Sequence, residues 1–145
     1  MYTTLSDWLA FAAARGDVLP AEASAEDQAA ALQRGDDYVR RTYVSAFATS
    51  VDLTSDEVLA ALAEAVHLAA GLELASVGSL SATLTTANQK TLTKVGDLEW
   101  DVPKASEESP MRAATPRHTG IEALLAPYLA TDAKGQFIGV GALLV

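Results

Sequence analysis

The sequence predicts a mainly α protein: a small helical bundle of three to four helices with a β-hairpin or strand insertion and an extended C-terminal arm. Three observations carry that class. Half of the 145 residues are hydrophobic and few are aromatic; alanine leads, and it favours helix and close helix–helix approach. Apolar residues recur at helical spacing over residues 5–15, 25–43 and 55–74. Composition then shifts at Ser76, where Ser, Thr, Gly, Asn and Pro displace the alanines. The length suits one domain that buries about two thirds of its unfolded surface, here a helical domain over residues 1–129 followed by an arm over 130–145.

Thr4 is placed to cap a first helix that runs to about Arg15, with Asp7 at its third position and Gly16 as its stop. Asp17–Ala23 reads as a linker containing Pro20. Ser24 caps the central helix, which runs to Tyr43 or beyond, toward Phe47. On it, Leu32, Gly35, Val39 and Thr42/Tyr43 share one stripe, widened by Ala31 and Tyr38, while Arg34, Asp36, Asp37, Arg40 and Arg41 occupy the solvated face. Asp36–Arg40 and Asp37–Arg41 are i,i+4 pairs with the acid first, each contributing about 0.2–0.5 kcal/mol. Gly35 breaks the pattern at a cost of about 1 kcal/mol relative to Ala, which points to a helix crossing too close for a side chain, with a ligand contact as the other reading.

Thr54–Glu57 has the spacing of a capping box and opens a third helix from Ser55 to about Leu74. Its core stripe is Val58, Leu59, Leu62, Val66 and Ala69/Ala70, with Asp56, Glu57 and Glu64 outside and His67 near the seam as a packed histidine. Val77–Gln89 reads as an irregular connector. Thr91–Val102 alternates like strand around Gly96–Asp97, the signature of a hairpin over about 91–102. Residues 103–117 carry three prolines and form a flexible loop. Thr119–Glu122 is a second capping-box pattern, opening a short helix that Pro127 ends, with Ile121, Leu124, Leu125 and Leu129 docked on the body. The chain closes on an uncharged, apolar run. Two readings of it stand: a final strand packed on its own domain, or an arm that adds to a partner's sheet or groove, with Phe137, Ile138, Val140, Leu143, Leu144 and Val145 as the candidate partner-binding residues.

Net charge is −9. Residues 1–89 hold 4 basic and 12 acidic side chains, and residues 90–145 hold 6 and 7. An acidic body repels phosphate, so the basic footprint of nucleic-acid binding is missing. There is no cysteine, hence no disulfide or thiol chemistry. Neither a signal peptide nor an apolar run of about 18 residues is expected. Two histidines without H-x-x-H or E-x-x-H spacing give no expected metal site, and no nucleophile-elbow, P-loop or dinucleotide fingerprint occurs. The expectation is a protein without catalytic residues, cofactor or metal.

Several stretches, in order, resemble the small head–tail adaptor (head-completion or connector) proteins of long-tailed phages and gene transfer agents, a family often labelled DnaT-like single-stranded-DNA-binding. They are Tyr2–Gly16, the helix AALQRGDDYVRRTY at Ala30–Tyr43, the alanine-rich Val58–Leu72, the strand KVGDLEWDV at Lys94–Val102, and IEALLAPYL at Ile121–Leu129. The chain departs from many relatives in lacking a Trp-Pro segment after Tyr43 and in its longer apolar tail. The resemblance implies a structural virion protein, assembled in the host cytoplasm, that forms a twelvefold homo-oligomeric ring beneath the portal protein. Such a ring extends the DNA channel, through which DNA passes without specific binding, and offers a surface to the next neck or tail-completion protein. No membrane is involved. Within a ring, Asp36, Asp37, Arg40 and Arg41 are the candidates for pairing between subunits. Two other roles compete: a single-stranded-DNA-binding replication accessory, which needs a basic groove with stacking aromatics, and a generic helical interaction module.

Overall fold

Two long stripes of small and branched side chains meet in the core of the described residues. The computed structural model describes residues 1–81 and 116–130, together with the backbone of two paired dipeptides. In chain order the elements are α1 (Leu5–Ala14), α2 (Leu19–Glu22), α3 (Ala25–Thr42), a 3-10 turn at Val44–Ala46, α4 (Asp56–Ala75), β1 (Lys94–Val95), β2 (Leu98–Glu99), α5 (Thr119–Leu125) and a 3-10 turn at Ala126–Tyr128. The protein is mainly α.

The first helix begins and ends where its sequence dictates. The Thr4 hydroxyl accepts from the Asp7 amide at 3.2 Å, and the Asp7 carboxylate accepts from the Thr4 amide at 3.3 Å, so two orphan donors are satisfied reciprocally. At the other end Gly16 takes φ +72°. That lets the Asp17 amide reach Ala12 O and the Gly16 amide reach Ala13 O, the Schellman closure. Trp8 and Ala12 face inward. The expected linker after it contains one further helical turn, α2. Pro20 sits in its first turn, where the missing N–H would have had no partner in any case.

Ser24 caps α3, its hydroxyl accepting from Asp27 at 3.1 Å. Helix α3 stops at Thr42 and does not continue to Phe47. The chain tightens into a 3-10 turn because the next residues are claimed by another segment. Ala48 N–H donates to Tyr128 O and Ala130 N–H to Ala46 O, which brackets an antiparallel bridge between Phe47 and Leu129. Residues 116–118 are tied to α3 as well. The Tyr38 hydroxyl donates to Pro116 O at 2.7 Å, and the Tyr38 and Tyr43 rings meet edge-on at 5.8 Å. Burial pushes both phenols above their ordinary pKa.

Both later capping-box patterns fail as caps. Thr54 gives its amide and hydroxyl hydrogens to Asp52 Oδ1 (2.8 and 2.6 Å), so Ser55 becomes the N-cap of α4, without a side-chain bond. At α5 the cap position falls on His118 and Thr119 is already helical. Helix α4 buries Val58, Leu62, Val66, Ala69 and Ala70, as its spacing predicts, and adds Ala61 and Ala65; Leu59 is only half-buried. Ile121, Leu125 and Leu129 close the core over α3 and α4, with Leu124 packed at its edge. Gly35 lies at the α3–α4 crossing. A Cβ there would stand 2.8 Å from Ala70 N and 3.1 Å from Val66 O. The unexplained glycine of the central helix is therefore a helix crossing.

Two expectations need correction. Helix α4 is long and apolar enough to cross a membrane by length and composition, with a mean hydropathy of 1.6, although no such run was expected. Half of that stretch is buried inside the fold, which is how a core helix passes the same test. In the region of the expected hairpin, Lys94–Val95 and Leu98–Glu99 pair antiparallel, Lys94 opposite Glu99. A two-residue ladder does not support a hairpin insertion spanning 91–102. The other residues of that stretch, like residues 103–115 of the predicted loop, lie outside the described residues.

Candidate assembly surface

The charged face of α3 divides in two. Asp36, expected on the solvated side, is fully buried (0% exposed). The first residues of the chain cross α3 at that point, and the carboxylate accepts from the Tyr2 amide at 2.9 Å while pairing with Arg40 and, at 3.7 Å, with the Met1 amino group. Arg40 bends toward the same spot, 6.0 Å from the Tyr2 ring. These contacts lie within one subunit, so Asp36 is withdrawn as a candidate for pairing between subunits. Helical periodicity records only which way a position points, not that a distant segment will cover it.

Asp37 and Arg41 stay on the outside. Their ion pair is 3.8 Å, with Arg41 three-quarters exposed. Arg41 Nε also donates to Asp37 O, and Gln33 donates to the Asp37 carboxylate. An exposed pair of this kind adds about 0–1 kcal/mol to stability, so the fold depends little on the row Gln33–Asp37–Arg41.

Arg34, also expected in solvent, reaches across to α4. Its Nε donates to Glu73 at 2.8 Å, and Glu73 accepts further bonds from the amides of Gly78 (3.1 Å) and Leu80 (2.9 Å). Burial alone would raise the Glu73 pKa; the two amides and Arg34 outweigh it and hold the carboxyl below its ordinary value. This knot fixes the turn after α4. Sequence reasoning passed over it, yet a signal existed: an acid in the last turn of a helix opposes the macrodipole and so calls for a dedicated partner.

His67 is a packed histidine, as its seam position predicts. It is 7% exposed, shares a 2.7 Å hydrogen bond with the Thr3 hydroxyl and packs against the Phe11 ring. Burial lowers its pKa, partly opposed by Asp7 and Glu64. Arg15 lies 3.5 Å over the Phe11 ring and pairs with Glu64 at 3.0 Å. Among the described residues no group of three or more His, Cys, Asp or Glu is placed to hold a metal ion. The arm candidates Phe137, Ile138, Val140, Leu143, Leu144 and Val145 lie outside the described residues. No family model, curated protein or solved structure matches the chain.

Proposed function

We propose that this chain is a structural adaptor of a phage-type particle, forming a homo-oligomeric ring beneath the portal protein, extending the DNA channel and joining the head to the next neck or tail component. The observation that carries this reading is the ordered resemblance of Tyr2–Gly16, Ala30–Tyr43, Val58–Leu72 and Ile121–Leu129 to that family, stretches that here share one core. The outer row Gln33–Asp37–Arg41 supports it too, because subunits standing side by side need charged groups that the single fold does not consume. The chain's charge of −9 suits a lumen through which DNA slides without sticking. In this proposal residues 130–145 are an arm that engages a partner in the ring.

A single-stranded-DNA-binding role would need unpaired cations beside stacking aromatics. Arg15, Arg34, Arg40 and Arg41 are each paired with a carboxylate. The test is deletion of Phe137–Val145 combined with Arg41→Glu in separate chains. Each should leave the helical domain folded and block the joining of heads to tails. Full particle assembly with the deleted chain would remove the arm from the proposal, and micromolar single-stranded-DNA binding that weakens steeply with salt would favour the replication role.

A further inference from the structure

We propose that the surface around the C-terminal half of α4 docks a basic, amphipathic segment of another protein. Three large apolar side chains stand out of the fold here: Val18 (62% exposed), Leu19 (46%) and Val77 (75%). Single exposed apolar residues are ordinary; grouped ones mark contact sites. Leu19, Leu74 and Val77 border one hollow of about 410 Å³, whose rim carries Glu22, Asp27 and Arg34. A second hollow, about 220 Å³, is bordered by Phe11, Asp17, Leu68, Gly71 and Leu72. Asp17 borders one hollow and Leu19 the other, so the two hollows lie either side of the α1–α2 link.

Gly71 strengthens the case. It sits in the interior of a 20-residue helix, where glycine costs about 1 kcal/mol relative to Ala. Gly35 has a reason for being glycine, the α4 backbone. Gly71 has none among the described residues: a Cβ there meets nothing within 4 Å. A helix left bare over a hollow gives an incoming chain room to approach the backbone.

Charge selects the occupant. Asp17 accepts from the Leu19 amide; the Asp27 carboxylate accepts from the Ser24 hydroxyl, whose oxygen accepts from the Asp27 amide; among the described residues Glu22, Asp17 and Asp27 form no ion pair. The two arginines at the hollows are already neutralised, Arg15 by Glu64 and Arg34 by Glu73. The rim is therefore net negative. A second copy presenting the same face would set acid against acid. A segment with apolar side chains at i, i+3, i+4 and i+7, flanked by Lys or Arg, fills the hollows and neutralises the rim. This surface is independent of the adaptor proposal: it would dock such a segment whether or not the chain sits in a virion neck.

The test uses the full chain and a pair of synthetic helical peptides, one with leucines at that spacing and lysines elsewhere, its twin with glutamates for the lysines. Calorimetry should show binding of the lysine peptide alone, with amide shift changes confined to residues 17–27 and 68–78. Leu19→Asp combined with Val77→Asp, both at exposed positions and checked for fold by circular dichroism, should weaken binding about tenfold or more, and Glu22→Lys should weaken it too. Equal binding by the double variant, or equal binding of the glutamate twin, overturns the proposal. So does a concentration-dependent dimer that Val77→Asp abolishes, since that would give the face to a second copy.

Discussion

Replacing Gly35 with alanine sets packing directly against helix propensity. Propensity favours the substitution by about 1 kcal/mol. Packing opposes it: the new Cβ would stand 2.8 Å from Ala70 N, 3.1 Å from Ala70 Cα and 3.1 Å from Val66 O. All three are backbone atoms of α4, which cannot rotate aside as a flexible side chain would. The two helices must separate by a few tenths of an ångström, and the separation is felt along a seam that includes Leu32, Val39, Leu62 and Val66. Overpacking costs about 1–3 kcal/mol, and a rigid neighbour puts this site at the upper end. The net expectation is a loss of about 1–2 kcal/mol, or a thermal midpoint lowered by roughly 3–7 °C for a domain of this size. Urea unfolding followed by helix circular dichroism measures it. Gly71→Ala is the matched control, since its Cβ meets nothing within 4 Å; it should stabilise by about 0.5–1 kcal/mol. If Gly35→Ala proves as stable as the parent, the α3–α4 crossing has been placed wrongly.

Three further perturbations separate the charged groups. Asp36→Ala leaves the partly buried Tyr2 amide without its acceptor and should cost about 1–3 kcal/mol by urea unfolding, whereas Asp37→Ala, on the exposed row, should stay within about 0.5 kcal/mol. Glu73 has a folded pKa below its unfolded value of 4.5, so the unfolded chain binds its proton first. Its contribution is present above that value and is lost as pH falls through the lower folded one; Glu73→Gln should reduce stability at neutral pH by about 1–3 kcal/mol and flatten this acid dependence. His67 likewise titrates below 6.5 when folded, so its contribution is present above that value and falls away on acidification, and proton NMR of the ring should give a midpoint lower than that of the unfolded chain.

Local signals were legible where the partner lies within a turn or two. Thr4 with Asp7, Ser24 with Asp27 and the stop at Gly16 could be read because each bond closes within a few residues. Gly35 was legible as a crossing because an interior glycine costs free energy that only close approach explains. The failures share a cause: a competing partner that spacing does not reveal. Thr54 matched a capping box, but Asp52, two residues away on the other side, took its hydroxyl. Asp36 and Arg34 both have helix-surface spacing, yet one meets the returning N-terminal residues and the other reaches Glu73, 39 residues away. Long-range partners of this kind depend on how the elements cross, which periodicity does not specify. Two of the charged positions that the pattern put in solvent, Asp36 and Arg34, are thereby tied into the fold.

The most direct test of the adaptor proposal is an electron-microscopic image of the neck of a particle assembled with this chain. The expected result is a closed ring of this chain immediately beneath the portal, with α3 of neighbouring subunits side by side and Asp37 and Arg41 at the seam. A particle whose head and tail are joined without this chain would contradict it.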